Sequence, residues 1–225
     1  MPPTSPGVAD ALPPSLLRND AYRRPLATAL ERLALGPGWR CADVGAGGGD
    51  VSVALAEVVG RTGRIYAVDS DPAARDATAA AAAAHSQVLA VTQAAEDLLL
   101  PEPVDLAYCR FLLLHVIDPL AVLRRMAGAV RPGGWVVVQE PVTSAGRVGG
   151  VAMSLPGARH PDVGALLPAL VRDAGLGLAD AWAESQAGVG PGPVAGYLAS
   201  LTGVDPGDDP VVLPPLVTVI ARTPS

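Results

Sequence analysis

The stretch Cys41-Ala42-Asp43-Val44-Gly45-Ala46-Gly47-Gly48-Gly49-Asp50 constrains this chain more than any other. An apolar strand over 39–44 runs into glycines, and a helix opens near Asp50. Glycines at 45, 47 and 49 permit a tight turn with positive φ and let backbone come close to a ligand. The free N–H groups at the start of the following helix point at whatever sits there. Strand, glycine turn and helix in this order make a nucleotide-type cradle. The dinucleotide pattern G-x-G-x-x-G puts a third glycine where helix packs on strand. Counted from Gly45, that place holds Asp50, whose side chain would stand in the packing gap.

What the sequence offers is Asp-x-Gly-x-Gly-x-Gly, with the acid two residues before the first glycine. This resembles motif I of the class I S-adenosylmethionine methyltransferases, where the acid helps hold the methionine ammonium and the glycines admit the cofactor's amino-acid end. The next stretch, 64–69, is a second apolar strand ending in Asp69, followed by Ser70-Asp71-Pro72. Asp71 suits an N-cap and Pro72 a first helical turn. Asp69 thus falls at the carboxyl end of strand two, where an acid can bind both ribose hydroxyls; nicotinamide enzymes place an acid similarly. A third strand at 87–92 precedes Gln93-Ala94-Ala95-Glu96-Asp97-Leu98, which resembles the family's adenine-binding segment. Ala94 stands where that family has Asp or Asn. Either Glu96 takes over, with the Ala95 N–H on a ring nitrogen, or Glu96 and Asp97 form an ordinary charged first turn. Residues 104–119, with Cys109, Arg110 and His115, look like the fourth strand and its exit loop in the ubiquinone-biosynthesis-like group. Residues 123–138 follow as its helix, Arg-Pro-Gly-Gly turn and fifth strand. The resemblance covers residues 36–185.

It implies a doubly wound, Rossmann-like α/β fold. The sheet would have seven mostly parallel strands and end in an antiparallel β-hairpin. Residues 1–36 would be an N-terminal segment and cap helix, and 37–225 the cofactor domain with a short lid at 141–160. The cofactor would be S-adenosyl-L-methionine, held by Asp43, Gly45, Ala46, Gly47, Gly49, Asp69, Ser70, Ala95, Glu96, Cys109 and Arg110. His115 matches the histidine of the His-x-Pro-Asp-like position in sugar and polyketide O-methyltransferases, a base whose ordinary pKa suits the role. Otherwise it orients its loop. Glu140, at the end of strand five, would orient that base or bind substrate. The implied activity is methyl transfer to a hydroxyl or nitrogen of a small molecule in specialised biosynthesis. Two alternatives keep the same motifs: a non-methylating reaction such as cyclisation, and a non-catalytic cofactor-binding partner.

Composition sets the outer bounds. All 16 basic residues are Arg, and against 22 acids they leave a formal charge of −6. That argues against a nucleic-acid substrate, whose phosphates nothing would neutralise. No run reaches the ~18 apolar residues of a membrane span, and residues 1–6 do not read as a secretory signal. The two cysteines, Cys41 and Cys109, fall about four residues out of register on neighbouring strands, some 10 Å apart, too far for a disulfide. A reduced, cytoplasmic protein is expected, with no metal, since His85, His115 and His160 lack companion ligands at zinc-like spacing. A homodimer is left open. Tyr22, Leu26, Leu30 and Leu33 predict one helix over 20–35, with Tyr22 in the core or at the ligand. The alanines at 79–84 extend the helix begun at Pro72. Further along, 162–174 reads as a helix, 178–184 as a strand, and 211–222 as a last strand interrupted by Pro214-Pro215. The segment joining the last two strands is short for the family's helical cover.

Overall fold

The computed structural model describes residues 14–153, 157–203 and 205–225. Seven strands form the main sheet: β1 (Arg40–Val44), β2 (Arg64–Asp69), β3 (Val88–Thr92), β4 (Val104–Arg110), β5 (Val130–Pro141), β6 (Gly177–Glu184) and β7 (Leu216–Arg222). Their order is β3-β2-β1-β4-β5-β7-β6, and every neighbouring pair is parallel except those of β7, which runs antiparallel to both β5 and β6. The expected doubly wound sheet with its C-terminal antiparallel hairpin is therefore present.

Helices cover both faces, so the central strands are apolar on both sides. On one face lie α2 (Arg23–Leu33), α3 (Asp50–Val59) and α4 (Pro72–Ala81). There Leu26, Ala29, Leu55 and Val59 pack on Cys41, Ile65, Leu106 and Tyr108. The other face takes α5 (Pro119–Ala129) and α6 (Leu167–Asp173). Their Val122, Leu123, Met126 and Leu167 meet Val44, Val68, Ala107 and Val138. The period of two is visible in β4, where Leu106 and Tyr108 face one layer and Ala107 and Cys109 the other. Leu55 is fully buried, so truncation to Ala would cost about 2–5 kcal/mol.

A third cluster caps the carboxyl edge. It joins α1 (Pro14–Ala21) and α7 (Pro193–Thr202) through Ala21, Tyr22, Tyr197 and Leu198, with Met153, Leu213 and Leu216 beneath. A small second sheet braces it, pairing Arg147–Val148 with Val151–Ala152 and with Val211–Val212, which also pairs with Ala187–Gly188.

Several sequence expectations are corrected. The single helix over 20–35 is two, broken at Tyr22. Pro25 has no N–H to give the carbonyl of Ala21 four residues back, so one helix cannot pass through. Tyr22 itself is core: its hydroxyl donates to the Pro214 carbonyl at 3.0 Å and its ring meets Phe111 and Tyr197 edge-on. The helix over 162–174 opens as a 3₁₀ turn at Val163–Leu166, because Pro168 likewise cannot serve Gly164. The alanine run leaves the helix at Ala81 to turn back toward β3. Pro214-Pro215 sends 211–212 to the small sheet and 216–222 to the main one. The short segment before β7 does carry a helix, α7. Cys41 and Cys109 are free; Cys41 pairs with Leu106, three residues from Cys109.

Candidate active site

The clefts lie where the strand order reverses, at the carboxyl ends of β1, β2 and β4, as open α/β sheets favour. Gly45, Gly47 and Gly49 all have positive φ. Gly45 and Ala46 both donate N–H to the Val68 carbonyl, at 2.8 and 3.0 Å, which ties the turn to β2. A Cβ on Gly45 would come within 2.9 Å of Leu112, and one on Gly49 within 3.0 Å of the Thr78 backbone. At Gly47 a Cβ would meet nothing nearer than 3.9 Å, so that corner is open.

Asp69 braces the turn from the cleft side. One carboxylate oxygen accepts the Gly47 N–H at 2.9 Å and the other the Asp71 N–H at 3.0 Å. Asp71 caps α4 as expected, accepting from the Ala73 N–H. A first cleft of about 210 Å³ opens beside this arrangement. Gly45, Val68, Asp69 and Ser70 form one wall, Gln93, Ala95 and Glu96 the next, and Leu112, His115 and Val116 the third. Ala95 and Glu96 lie on a 3₁₀ turn, Ala95–Asp97, whose first N–H groups have no partner within it.

Other sequence candidates stand outside this cleft. Asp43 is 1% exposed, lies beneath the turn, and accepts the Ser52 hydroxyl at 2.6 Å. Burial raises its carboxyl to about 7, while the Ser52 bond pulls it down. Cys109 is wholly buried between Val44 and Val138 on the α5 face. Gly49 ends the turn as the N-cap of α3. Arg110 is buried and forms a close ion pair with Asp50 at the head of α3. It also donates to the Tyr22 carbonyl and to Asn19 Oδ1, both at 3.3 Å.

Glu140 faces neither cleft. Fully buried, its Oε1 accepts the N–H groups of Leu112 and Leu113 at 2.8 and 2.7 Å, and its Oε2 that of Leu114 at 3.4 Å. Burial raises its carboxyl to about 7 against these bonds, which lower it. The loop can turn to present three amides because Phe111 takes a left-handed conformation, φ 55°, rare for a bulky residue. Glu140 thus fixes the loop on which His115 rides.

His115 borders two clefts. The second is lined by Arg18, Phe111, Leu114, His115, Ala158, Tyr197 and Leu201. Partial burial and the nearby Arg18 charge lower the imidazole pKa from its ordinary value. The Arg159 and His160 N–H groups both donate to the Leu114 carbonyl, at 2.9 and 3.1 Å, stitching these two residues to this loop. The His160 ring lies 3.4 Å from the Ile117 carbonyl and lines neither cleft. Arg18, Phe111 and Tyr197 carry no motif and were invisible to sequence reading; only the fold brings α1, β4 and α7 together. Among the described residues no cluster of three or more metal-ligating side chains occurs, and no helix is long and apolar enough to cross a membrane.

Residues 18–172 match the family model described as a methyltransferase domain. The chain belongs to the class I S-adenosylmethionine-dependent methyltransferases. S-adenosylmethionine is the cofactor of this family and of this methyltransferase. Its sequence is 38% identical over 106 residues to the ubiquinone biosynthesis O-methyltransferase of Xanthomonas campestris pv. campestris (strain B100), covering 46% of this chain and 43% of that one. The match therefore spans less than half of that relative's length. Its fold is shared with the [4+2]-cyclase SpnF (TM-score 0.66, 23% identity, 89% and 81% of the two chains). A SAM-dependent methyltransferase from Aquifex aeolicus has it too (TM-score 0.63, 17% identity, 94% and 98%).

Proposed function

We propose that this methyltransferase binds S-adenosylmethionine along the first cleft and methylates a hydroxyl or nitrogen of a small molecule held in the second, as a step of specialised biosynthesis. The observation that carries this reading is the wall the two clefts share at His115. The first cleft fits the cofactor. Gly47 leaves open the corner that a side chain would fill. A carboxylate has about four acceptor sites, and Asp69 uses two on backbone N–H groups. The other two are available to the ribose hydroxyls. Gln93, Ala95 and Glu96 border the place for adenine. Asp43 and Glu140 act one step removed, the first by shaping the turn through Ser52 and the second by fixing the 112–114 loop.

When bound, the cofactor's sulfonium supplies an electrophilic methyl group, and catalysis is then mostly placement of the acceptor against it. His115 reaches the acceptor side with a lowered pKa, so near neutral pH an imidazole nitrogen is free to take the proton from an acceptor O–H. Arg159 and His160 border this corner from the other side, both held by the Leu114 carbonyl.

The decisive experiment supplies the purified protein with S-adenosylmethionine and a panel of phenols, alcohols and amines, and follows products by mass spectrometry. S-adenosylhomocysteine formed one for one with methylated acceptor is the expected result. A cofactor-requiring isomerisation without S-adenosylhomocysteine would replace methyl transfer by cyclisation, the chemistry for which the [4+2]-cyclase SpnF, of this same fold, is named. Cofactor binding without any turnover across a broad panel would point to a non-catalytic partner.

A further inference from the structure

We propose that the second cleft takes an acceptor bearing a carboxylate or similarly compact anion on an apolar or aromatic body, and that Arg18 receives the anion. The inference rests on the reading of that cleft as the acceptor's.

Arg18 enters from α1 and lies over the Phe111 ring, 5.1 Å from its centroid. Its Nε is buried without a hydrogen-bond partner. Its Nη2 makes one long contact, 3.5 Å to Asn19 Oδ1. Among the described residues no carboxylate pairs with it within 4 Å, although seven ion pairs form elsewhere. The acids that act on it electrostatically are committed: Asp50 pairs with Arg110, and Glu140 is taken by three backbone amides. Two guanidinium groups thus meet at one corner with a single carboxylate paired between them. A mostly buried guanidinium with no carboxylate partner among the described residues is costly, and its fork of N–H donors matches a carboxylate better than any other common group.

The remaining lining sets the rest of the ligand. Phe111, Leu114, Ala158 and Leu201 are apolar, and Tyr197 adds a buried ring from α7. His115 stands at the wall shared with the cofactor cleft. An anion on Arg18 would therefore orient an apolar acid across the cleft with its methyl-accepting group toward His115. Phe111 holds its left-handed backbone on this floor, the kind of strain that persists at ligand sites.

A carboxylate also exists on the cofactor's methionine end, and Arg18 Nη2 lies 3.9 Å from where a Gly47 Cβ would be. Calorimetry on the full chain separates the two sources. S-adenosylhomocysteine and 5′-methylthioadenosine, which lacks the amino-acid end, are titrated into wild type and Arg18→Gln. 4-Hydroxybenzoate and the neutral 4-hydroxybenzamide are then titrated into each protein saturated with S-adenosylhomocysteine. Expected are unchanged affinities for both nucleosides and a wild-type preference for the acid over the amide of at least about tenfold, abolished in Arg18→Gln. A tenfold loss for S-adenosylhomocysteine with methylthioadenosine unchanged overturns the inference and gives Arg18 to the cofactor. Wild type that binds neither probe, or both alike, overturns it without any variant. Failure of wild type to bind S-adenosylhomocysteine refutes the cofactor reading instead.

Discussion

Asp69 has two tasks that one substitution pair can separate. Its carboxylate holds the glycine turn through the Gly47 N–H and the start of α4 through the Asp71 N–H, at 2.9 and 3.0 Å. Both bonds have a charged acceptor, worth about 1.5–3 kcal/mol each; the Asp71 bond is exposed and the Gly47 bond only partly buried, so the low end applies. Asp69→Ala removes both, about 3 kcal/mol, which at roughly 2–4 °C per kcal/mol lowers Tm by about 6–12 °C for a chain of this size. Asp69→Asn keeps one backbone acceptor and turns an amide toward the other N–H, so about half of that loss is expected. If the remaining lone pairs receive the ribose hydroxyls, both variants also weaken S-adenosylhomocysteine at least tenfold, at ~1.4 kcal/mol per decade. Melting curves without ligand read the first task, and calorimetry at a temperature where the variants are folded reads the second. A fall in Tm with affinity kept within twofold would refute the clamp and leave Asp69 a strut. An unchanged Tm would refute the strut.

His115→Ala should lower kcat by the ~10²–10⁴ of a lost general base while S-adenosylhomocysteine affinity stays nearly constant. Because its pKa is lowered, the wild-type rate should rise with pH through a limb below the ordinary histidine value; a limb above it would contradict the geometry. Glu140→Ala strips the acceptor from three N–H groups of the 112–114 loop, two of them buried, and should cost about 3 kcal/mol or more by urea unfolding. Glu140→Gln, which keeps Oε1, should lose clearly less, and equal losses would show the bonds to be unimportant. Asp43 keeps its proton in the folded state up to about 7, whereas the unfolded chain releases it near 4, so its contribution to stability declines as pH rises across that window. Asp43→Asn, still able to accept from Ser52, should reduce the difference in unfolding free energy between pH 4.5 and 8 but not abolish it, because Glu140, also raised to about 7, contributes a slope of the same sign. A variant with the wild-type slope would place the titrating group elsewhere.

The sequence by itself determined the sheet and the glycine turn after β1, because those signals are local. Apolar runs with a period of two, a glycine turn between strand and helix, and the caps at Asp71 and Asp118, each followed by proline, depend on residues within a turn of one another. β2 begins and ends where the sequence reading put it. The helix breaks before Pro25 and Pro168 were also local and follow from the missing N–H. What only the tertiary structure decided is where polar side chains look. Asp43 and Asp69 read alike as acids at strand ends, yet register and the α3 packing turn one under the turn and leave the other in the cleft. Glu140 is called to the 112–114 amides by the left-handed bend at Phe111, a conformation its residue type does not announce. Arg18, Phe111 and Tyr197 come from positions as far apart as 18 and 197. Their meeting is set by how α1 and α7 pack over the carboxyl edge of the sheet, and no periodicity or spacing along the chain encodes it.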